Sequence, residues 1–160
     1  EVAGMLPAGL NTALANGRTF GEALLTPTVI YAQFVWECQD AQIYPHYAVN
    51  ITGHGLRKLM RAKKPLRYEI DRLPDPILPE FQCIQDTLHL TDEQMYAAFN
   101  MGVGFAVYAN KHNADAIVAI AKDRCGIDAW VAGTVHEAKG HSVVLKQKGV
   151  EYKAGSLEIR

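Results

Sequence analysis

The chain has 160 residues, 49% of them hydrophobic, enough for one compact domain that buries roughly two thirds of its unfolded surface without a disulfide or a structural metal. Its formal net charge of -1, with dispersed Lys and Arg, argues against general nucleic-acid binding, and no apolar run reaches membrane-spanning length. Cys38, Cys83 and Cys125 form no Cys-x-x-Cys pair and are odd in number, which reads as reduced, half-buried thiols of a cytoplasmic protein.

The N-terminus has neither the basic start nor the sustained apolar run of a signal peptide, and its first residue is not Met, so the chain reads as a processed product or an excised piece of something longer. Residues 1–18 carry Gly, Pro and Asn punctuation with little periodicity and read as a linker with at most a short helix. Thr19, with Glu22 three residues on, predicts a capped helical turn that Pro27 stops. From Val29 to Cys38 the four-residue recurrence of Ile30, Phe34 and Cys38, and of Tyr31 and Val35, predicts a buried helix, with Trp36 as a core anchor and Tyr31 in the core.

Tyr47 to Ile51 reads as a short strand, Leu56 to Arg61 as the helix after it, and Leu66 to Ile70 as an alternating strand. The cations Arg57, Lys58, Arg61, Lys63 and Lys64 read as a solvated face able to attract a small anion. Pro74, Pro76 and Pro79 make a rigid connector into a helix over Phe81 to Leu88, and Thr91 caps a second helix that ends at Asn100. Gly102 to Tyr108 is a strand. Asn113 opens a helix over Ala114 to Arg124 that Gly126 ends. Ala129 to Glu137, Ser142 to Lys146 and Val150 to Lys153 are strand-rich and finish in an antiparallel hairpin, with Trp130 a core anchor and His136 and His141 surface residues beside a turn. The class is α+β, helices packed on a mixed, largely antiparallel sheet.

Two glycine-rich segments at element junctions stand out: Asn50-Ile51-Thr52-Gly53-His54-Gly55 and Phe99-Asn100-Met101-Gly102-Val103-Gly104. Glycines there let backbone N–H groups approach a ligand, and strand, glycine turn and helix N-terminus together suit an anion such as phosphate. Thr52, Gly53, His54, Gly55, Asn100, Gly102 and Gly104 are therefore the candidate substrate- or phosphate-binding residues; the plainer reading is a tight turn, a helix cap and close packing. Pro27 and Thr28 are a candidate cleft wall, or a plain helix stop. His46, His89, His112, His136 and His141 have no ligand-like pairing with Cys or carboxylates, so no metal site is expected, and no catalytic residue is singled out.

In order, Leu24-Leu25-Thr26-Pro27-Thr28-Val29-Ile30-Tyr31, then Asn50 to Leu56, then Glu93-Gln94-Met95-Tyr96 leading into Phe99 to Gly104, resemble the C-terminal domain of aminoimidazole ribonucleotide synthetase, or phosphoribosylformylglycinamidine cyclo-ligase, from about Arg18 to Val144. Related folds occur in selenophosphate synthetase, thiamine monophosphate kinase and a hydrogenase-maturation protein. The resemblance implies that residues 19–160 form one C-terminal domain, that residues 1–18 are the remnant of an interdomain segment, and that an N-terminal ATP-binding domain is absent from this chain. It also implies ATP and Mg²⁺ held mainly by that missing domain, a phosphorylated small-molecule substrate, a homodimer when full length, and little or no activity from this piece alone. The implied reaction closes the imidazole ring in purine biosynthesis: ATP phosphorylates the formyl oxygen of formylglycinamidine ribonucleotide, the amidine nitrogen attacks, and phosphate leaves. The chain departs from the family pattern at Val29, where Arg is usual, and at His54, where a third Gly is usual. Those departures keep open a non-catalytic module for a phosphorylated ligand, or a divergent relative with another substrate.

Overall fold

A computed structural model of the chain describes residues 1–156. Residues 1–18, expected as a linker, are docked. A single helical turn α1 (Val2–Met5) places Val2, Ala3 and Leu6 against the main core, and Leu14 is buried in it. The Thr19–Glu22 capping box forms as expected: the Thr19 hydroxyl accepts from Glu22 N–H at 3.2 Å and the Glu22 carboxylate accepts from Thr19 N–H at 2.7 Å. It starts α2 (Phe20–Leu24), which buries Phe20 and Ala23.

The next helix, α3, spans Ala32–Asp40, so Val29, Ile30 and Tyr31 lie outside it. Phe34 and Cys38 face inward as their four-residue spacing requires, but the expected core positions Ile30 and Trp36 are 81% and 61% exposed. Trp36 lies two residues from both buried positions, about 200° around a helix, so one helix cannot bury all three.

Strand β1 (Tyr47–Asn50) leads into a 3₁₀ helix, Gly55–Arg61, and then β2 (Leu66–Ile70). Helices α4 (Pro79–Leu88) and α5 (Asp92–Ala98) follow, the first with Pro79 at its start and the second under a Thr91–Gln94 capping box. After β3 (Phe105–Tyr108), α6 (Ala114–Ala119) widens into a π-helical turn, Ile120–Arg124, where one continuous α-helix was expected. The widened turn leaves Ile117, Ile120 and Ala121 in one cluster with Phe34 and Cys38. Strands β4 (Gly133–Glu137), β5 (Ser142–Leu145) and β6 (Val150–Lys153) complete the fold.

β1 and β3 pair antiparallel as a ribbon, and the other four strands form a sheet ordered β4-β2-β5-β6 in which the β2–β5 pairing alone is parallel. The α+β class with a mixed, largely antiparallel sheet is thus the observed one. Its register aligns Tyr68, Val143 and Tyr152, all buried, on one face. The alternate residues Arg67, Glu69 and Glu151 form ion pairs on the other. Alternation in β3 sends Ala106 and Tyr108 to the main core and Phe105 and Val107 to the α3–α6 cluster, so the ribbon is wedged between two cores. Trp130, expected in the core, is half-buried; its indole N–H donates to the Arg72 carbonyl at 3.3 Å, and the Arg72 guanidinium lies 5.8 Å from the ring centroid. His136 is exposed as expected, whereas His141 is half-buried with Nδ1 enclosed. Among the described residues no helix is long and apolar enough to cross a membrane.

Candidate functional site

The ribbon register pairs Asn50 with Phe105, so the end of β1 and the start of β3 are neighbours. Antiparallel pairing therefore brings the two glycine-rich segments together although about fifty residues separate them. Ile51 N–H extends the ladder to the Gly104 carbonyl at 2.8 Å.

In the first loop Thr52, Gly53 and His54 are exposed and Gly55 is buried. His54 (φ 74°) and Gly55 (φ 51°) are both left-handed. A Cβ on Gly55 would lie 2.6 Å from the Phe99 carbonyl oxygen and closer still to that of Tyr96, so this glycine is required by contact with the end of α5 as well as by φ. His54 occupies the position for which the resemblance expects Gly; its left-handed backbone is the physical reason for that preference, and His is among the side chains that tolerate it.

The helix after this loop has 3₁₀ rather than α geometry, with three residues per turn, so Gly55 and Lys58 share one inward-facing row, while Arg61 at its end is exposed. Lys58 is consequently buried, at 8% exposure, and its ammonium donates to the Thr52 hydroxyl oxygen. This corrects the solvated-face expectation at Lys58. Burial, and then the neighbouring Arg61, pushes its pKa below the ordinary lysine value. Because Thr52 Oγ1 accepts from Lys58, its own hydroxyl hydrogen is available to another acceptor. Arg57 Nε donates to the Ala97 carbonyl at 3.0 Å and ties the helix to the last turn of α5.

In the second loop the Asn100 side-chain oxygen accepts from Gly102 N–H at 3.1 Å, and Val103 N–H donates to the Asn100 carbonyl at 2.9 Å. Met101 (φ 50°) is buried, Gly102 (φ 89°) is exposed, and Leu78 packs where a Gly102 Cβ would be. The amides of Gly55 and Gly102 bond within their loops, the former to the Thr52 carbonyl at 3.2 Å, so these two glycines shape the loops rather than present donors.

Gly104 is approached by Tyr31, whose hydroxyl occupies the space a Cβ would take. The Tyr31 ring stacks on Phe105 at 4.7 Å, and its half-burial raises the phenol pKa. Expected in the core, Tyr31 instead docks at the loop end of the ribbon. Pro27 and Thr28, just before it in the chain, are exposed. The sequence reading has Arg57 and Lys58 only as a solvated cationic face able to attract an anion and Tyr31 only in the core; the signal that points to Lys58 itself is its three-residue spacing from Gly55.

The arrangement is an open, glycine-rich edge with a buried cation behind a threonine, suited to holding an anionic group against a second surface. Two concavities of about 230 and 430 Å³ lie elsewhere, and neither includes a residue of the glycine loops. Among the described residues no three of His, Cys, Asp or Glu gather as a metal donor set.

Comparison with known proteins gives the geometry a context. Residues 5–146 match the family described as AIR synthase related protein, C-terminal domain. The chain is 41% identical over 129 residues to a phosphoribosylformylglycinamidine cyclo-ligase of Methanococcus maripaludis, covering 81% of this chain and 36% of that protein. It is 40% identical over 141 residues to the protein of the same name from Methanocaldococcus jannaschii, covering 86% and 40%. The chain thus spans well under half the length of these curated relatives. Among solved structures it is similar to E. coli HypE, a hydrogenase maturation protein, with a TM-score of 0.57 at 16% identity over 82% of this chain and 41% of that one, a likeness of fold.

Proposed function

The chain belongs to the AIR synthase related protein family as its C-terminal domain, and from that premise we propose that it is the C-terminal part of an ATP-dependent cyclo-ligase of purine biosynthesis. The proposed substrate is formylglycinamidine ribonucleotide, whose formyl oxygen is phosphorylated by ATP before the amidine nitrogen closes the imidazole ring and phosphate leaves. Phosphorylation turns a poor oxide leaving group into a good one, and a folded substrate holds nucleophile and carbon together.

The observation that carries the proposal is the buried Lys58 behind Thr52 at the end where the two glycine segments meet. In this reading the Thr52 hydroxyl donates to a substrate phosphate oxygen, Lys58 orients that hydroxyl and supplies positive potential from behind, and Gly53, His54, Asn100 and Gly104 line the approach. Pro27 and Thr28 border it beside Tyr31. The described residues do not fit a metal cage, so Mg²⁺, with ATP, is assigned mainly to an N-terminal domain of the same protein. Residues 1–18, which pack on the same core as the rest of the described chain, would follow that domain and belong to the C-terminal unit. An exposed apolar run supports a docking partner: Leu24, Leu25, Ile30 and Trp36 are 54%, 82%, 81% and 61% exposed. The complete protein is proposed to be a cytoplasmic homodimer.

Calorimetric titration with formylglycinamidine ribonucleotide and ATP, alongside a phosphate-release assay, tests this on the chain alone and on the chain joined to an ATP-binding half. Turnover only in the joined form is expected. Ligand binding without turnover in either form would leave the second reading, a non-catalytic module for a phosphorylated ligand, which His54 and Val29 favour by departing from the family pattern.

A further inference from the structure

The α3–α6 cluster brings together two of the chain's three thiols. Cys38 lies in the last turn of α3 and is fully buried, and its backbone carbonyl accepts from Ile43 N–H at 2.9 Å. Cys125 closes the π-helical turn after α6 and is half-buried. The backbone just beyond it is held twice, Gly126 N–H donating to the Lys122 carbonyl at 3.2 Å and Ile127 N–H to the Ala121 carbonyl at 2.9 Å.

Three observations place the two sulfurs side by side. Cys38 belongs to the buried cluster of Phe34, Ile117, Ile120 and Ala121, and Cys125 packs against that cluster. Arg124, the residue before Cys125, reaches Glu37 at 3.1 Å and Asp40 at 3.9 Å, so its guanidinium clasps α3 on both sides of Cys38. Burial, then the Cys125 sulfur and the Glu37 carboxylate, push the Cys38 thiol pKa up, so the thiols lie within electrostatic reach of each other. The third thiol, Cys83 on α4, packs against the other cluster. Exposure divides the roles within the pair. Cys125 can meet a reagent from solvent, whereas Cys38 can be reached only from Cys125.

We propose that Cys38 and Cys125 form a reversible disulfide by exchange with a low-molecular-weight disulfide, stapling the end of α3 to the widened turn after α6. The Cys125 thiolate attacks one sulfur of the reagent, which breaks the reagent's S–S bond, forms a mixed disulfide and releases the first small thiol. Cys38 gives up its proton and attacks the Cys125 sulfur; the mixed S–S bond breaks, the protein S–S bond forms and the second small thiol leaves. Each leaving thiolate takes up a proton as each protein thiol loses one, so two protein thiols are oxidised and one reagent disulfide is reduced to two thiols. The bridge encloses residues 39–124, a long loop whose closure restricts the unfolded chain, so the oxidised form should be the more stable. The assignment uses no residue of the glycine loops and stands apart from the proposed cyclo-ligase activity.

The test holds the folded 160-residue chain in excess oxidised glutathione, alkylates the remaining thiols in denaturant and maps the peptides by mass spectrometry. Titratable thiols should fall from three to one, with Cys38 joined to Cys125 and Cys83 alkylated. The urea midpoint should rise and return on adding dithiothreitol. Cys83→Ser should still form the bridge. Cys38→Ala should stop with glutathione on Cys125, and Cys125→Ala should leave Cys38 an unmodified thiol. Three titratable thiols after exposure, wild-type chain carrying glutathione on Cys125 beside a free Cys38, a bridge that includes Cys83, or a bridge that forms only in urea would overturn the proposal.

Discussion

Replacing Gly55 by Ala tests whether the first loop is held by backbone contact with α5. The φ of 51° puts an L-residue in the left-handed region, at roughly 1–2 kcal/mol. The added Cβ would sit 2.6 Å from the Phe99 carbonyl oxygen and nearer that of Tyr96, and neither is a side chain that can swing away. The resulting displacement adds about 1–3 kcal/mol, as in overpacked cores, for a total of about 2–5 kcal/mol. That is a large fraction of a domain's stability, about 5–15 kcal/mol. Gly53, two residues away, has no left-handed φ and open space where its Cβ would be, so Gly53→Ala should stay within about 0.5 kcal/mol of wild type or be slightly stabilising through the unfolded chain. Urea unfolding of the two variants measures the contrast: a clear fall in midpoint for Gly55→Ala with an unchanged slope, and almost none for Gly53→Ala. A Gly55→Ala midpoint equal to that of Gly53→Ala would refute the packing of the loop on α5.

At the second loop, Gly104→Ala should destabilise because its Cβ takes the place of the Tyr31 hydroxyl, and adding Tyr31→Phe should recover part of the loss; a coupling near zero in the double-mutant cycle would show that the two do not touch. Recovery should be partial, since the ring carbon Cζ is 3.0 Å from the same point. Lys58→Met in the protein carrying both halves should lower kcat/KM about 10- to 100-fold, the range for a lost charged hydrogen bond, with little change in Tm; undiminished activity in a native-like variant would remove Lys58 from the site. Hydrogen bonds from the Lys146 ammonium and then Arg67 hold the Glu69 carboxyl down from its ordinary 4.5 to about 2. Since the folded-state value is the lower one, the contribution is complete above pH 4.5 and lost as pH falls toward 2. Glu69→Gln should therefore be less stable than wild type at neutral pH and converge with it near pH 2 in urea melts, and a constant gap across that range would contradict the ion-pair account.

The elements legible in the sequence are those specified locally. The Thr19 and Thr91 capping boxes begin helices through bonds reaching only three residues, and the alternation of Leu66 to Ile70 sorts buried Tyr68 from the ion-paired Arg67 and Glu69. Gly126 ends its helix in a left-handed turn for the same local reason. Periodicity misleads where it admits more than one face. Trp36 looked like a core residue because it is large and apolar, yet its place between Phe34 and Cys38 turns it outward. The π-helical turn after Ala119 and the 3₁₀ geometry of Gly55–Arg61 are set by packing, and the latter carries Lys58 inward.

The candidate site divides in the same way. Local residue pattern alone marks both glycine segments, because turn chemistry is written in adjacent residues, and the family is legible only through the resemblance that those ordered motifs carry. That the segments meet was decided by the register of β1 on β3, a contact between residues far apart in the chain. The necessity of Gly55, the support of Thr52 by Lys58 and the docking of Tyr31 on Gly104 likewise exist only once α5, the 3₁₀ helix and the ribbon are packed together. Local propensity determines where the chain turns, and long-range packing determines what each turn faces.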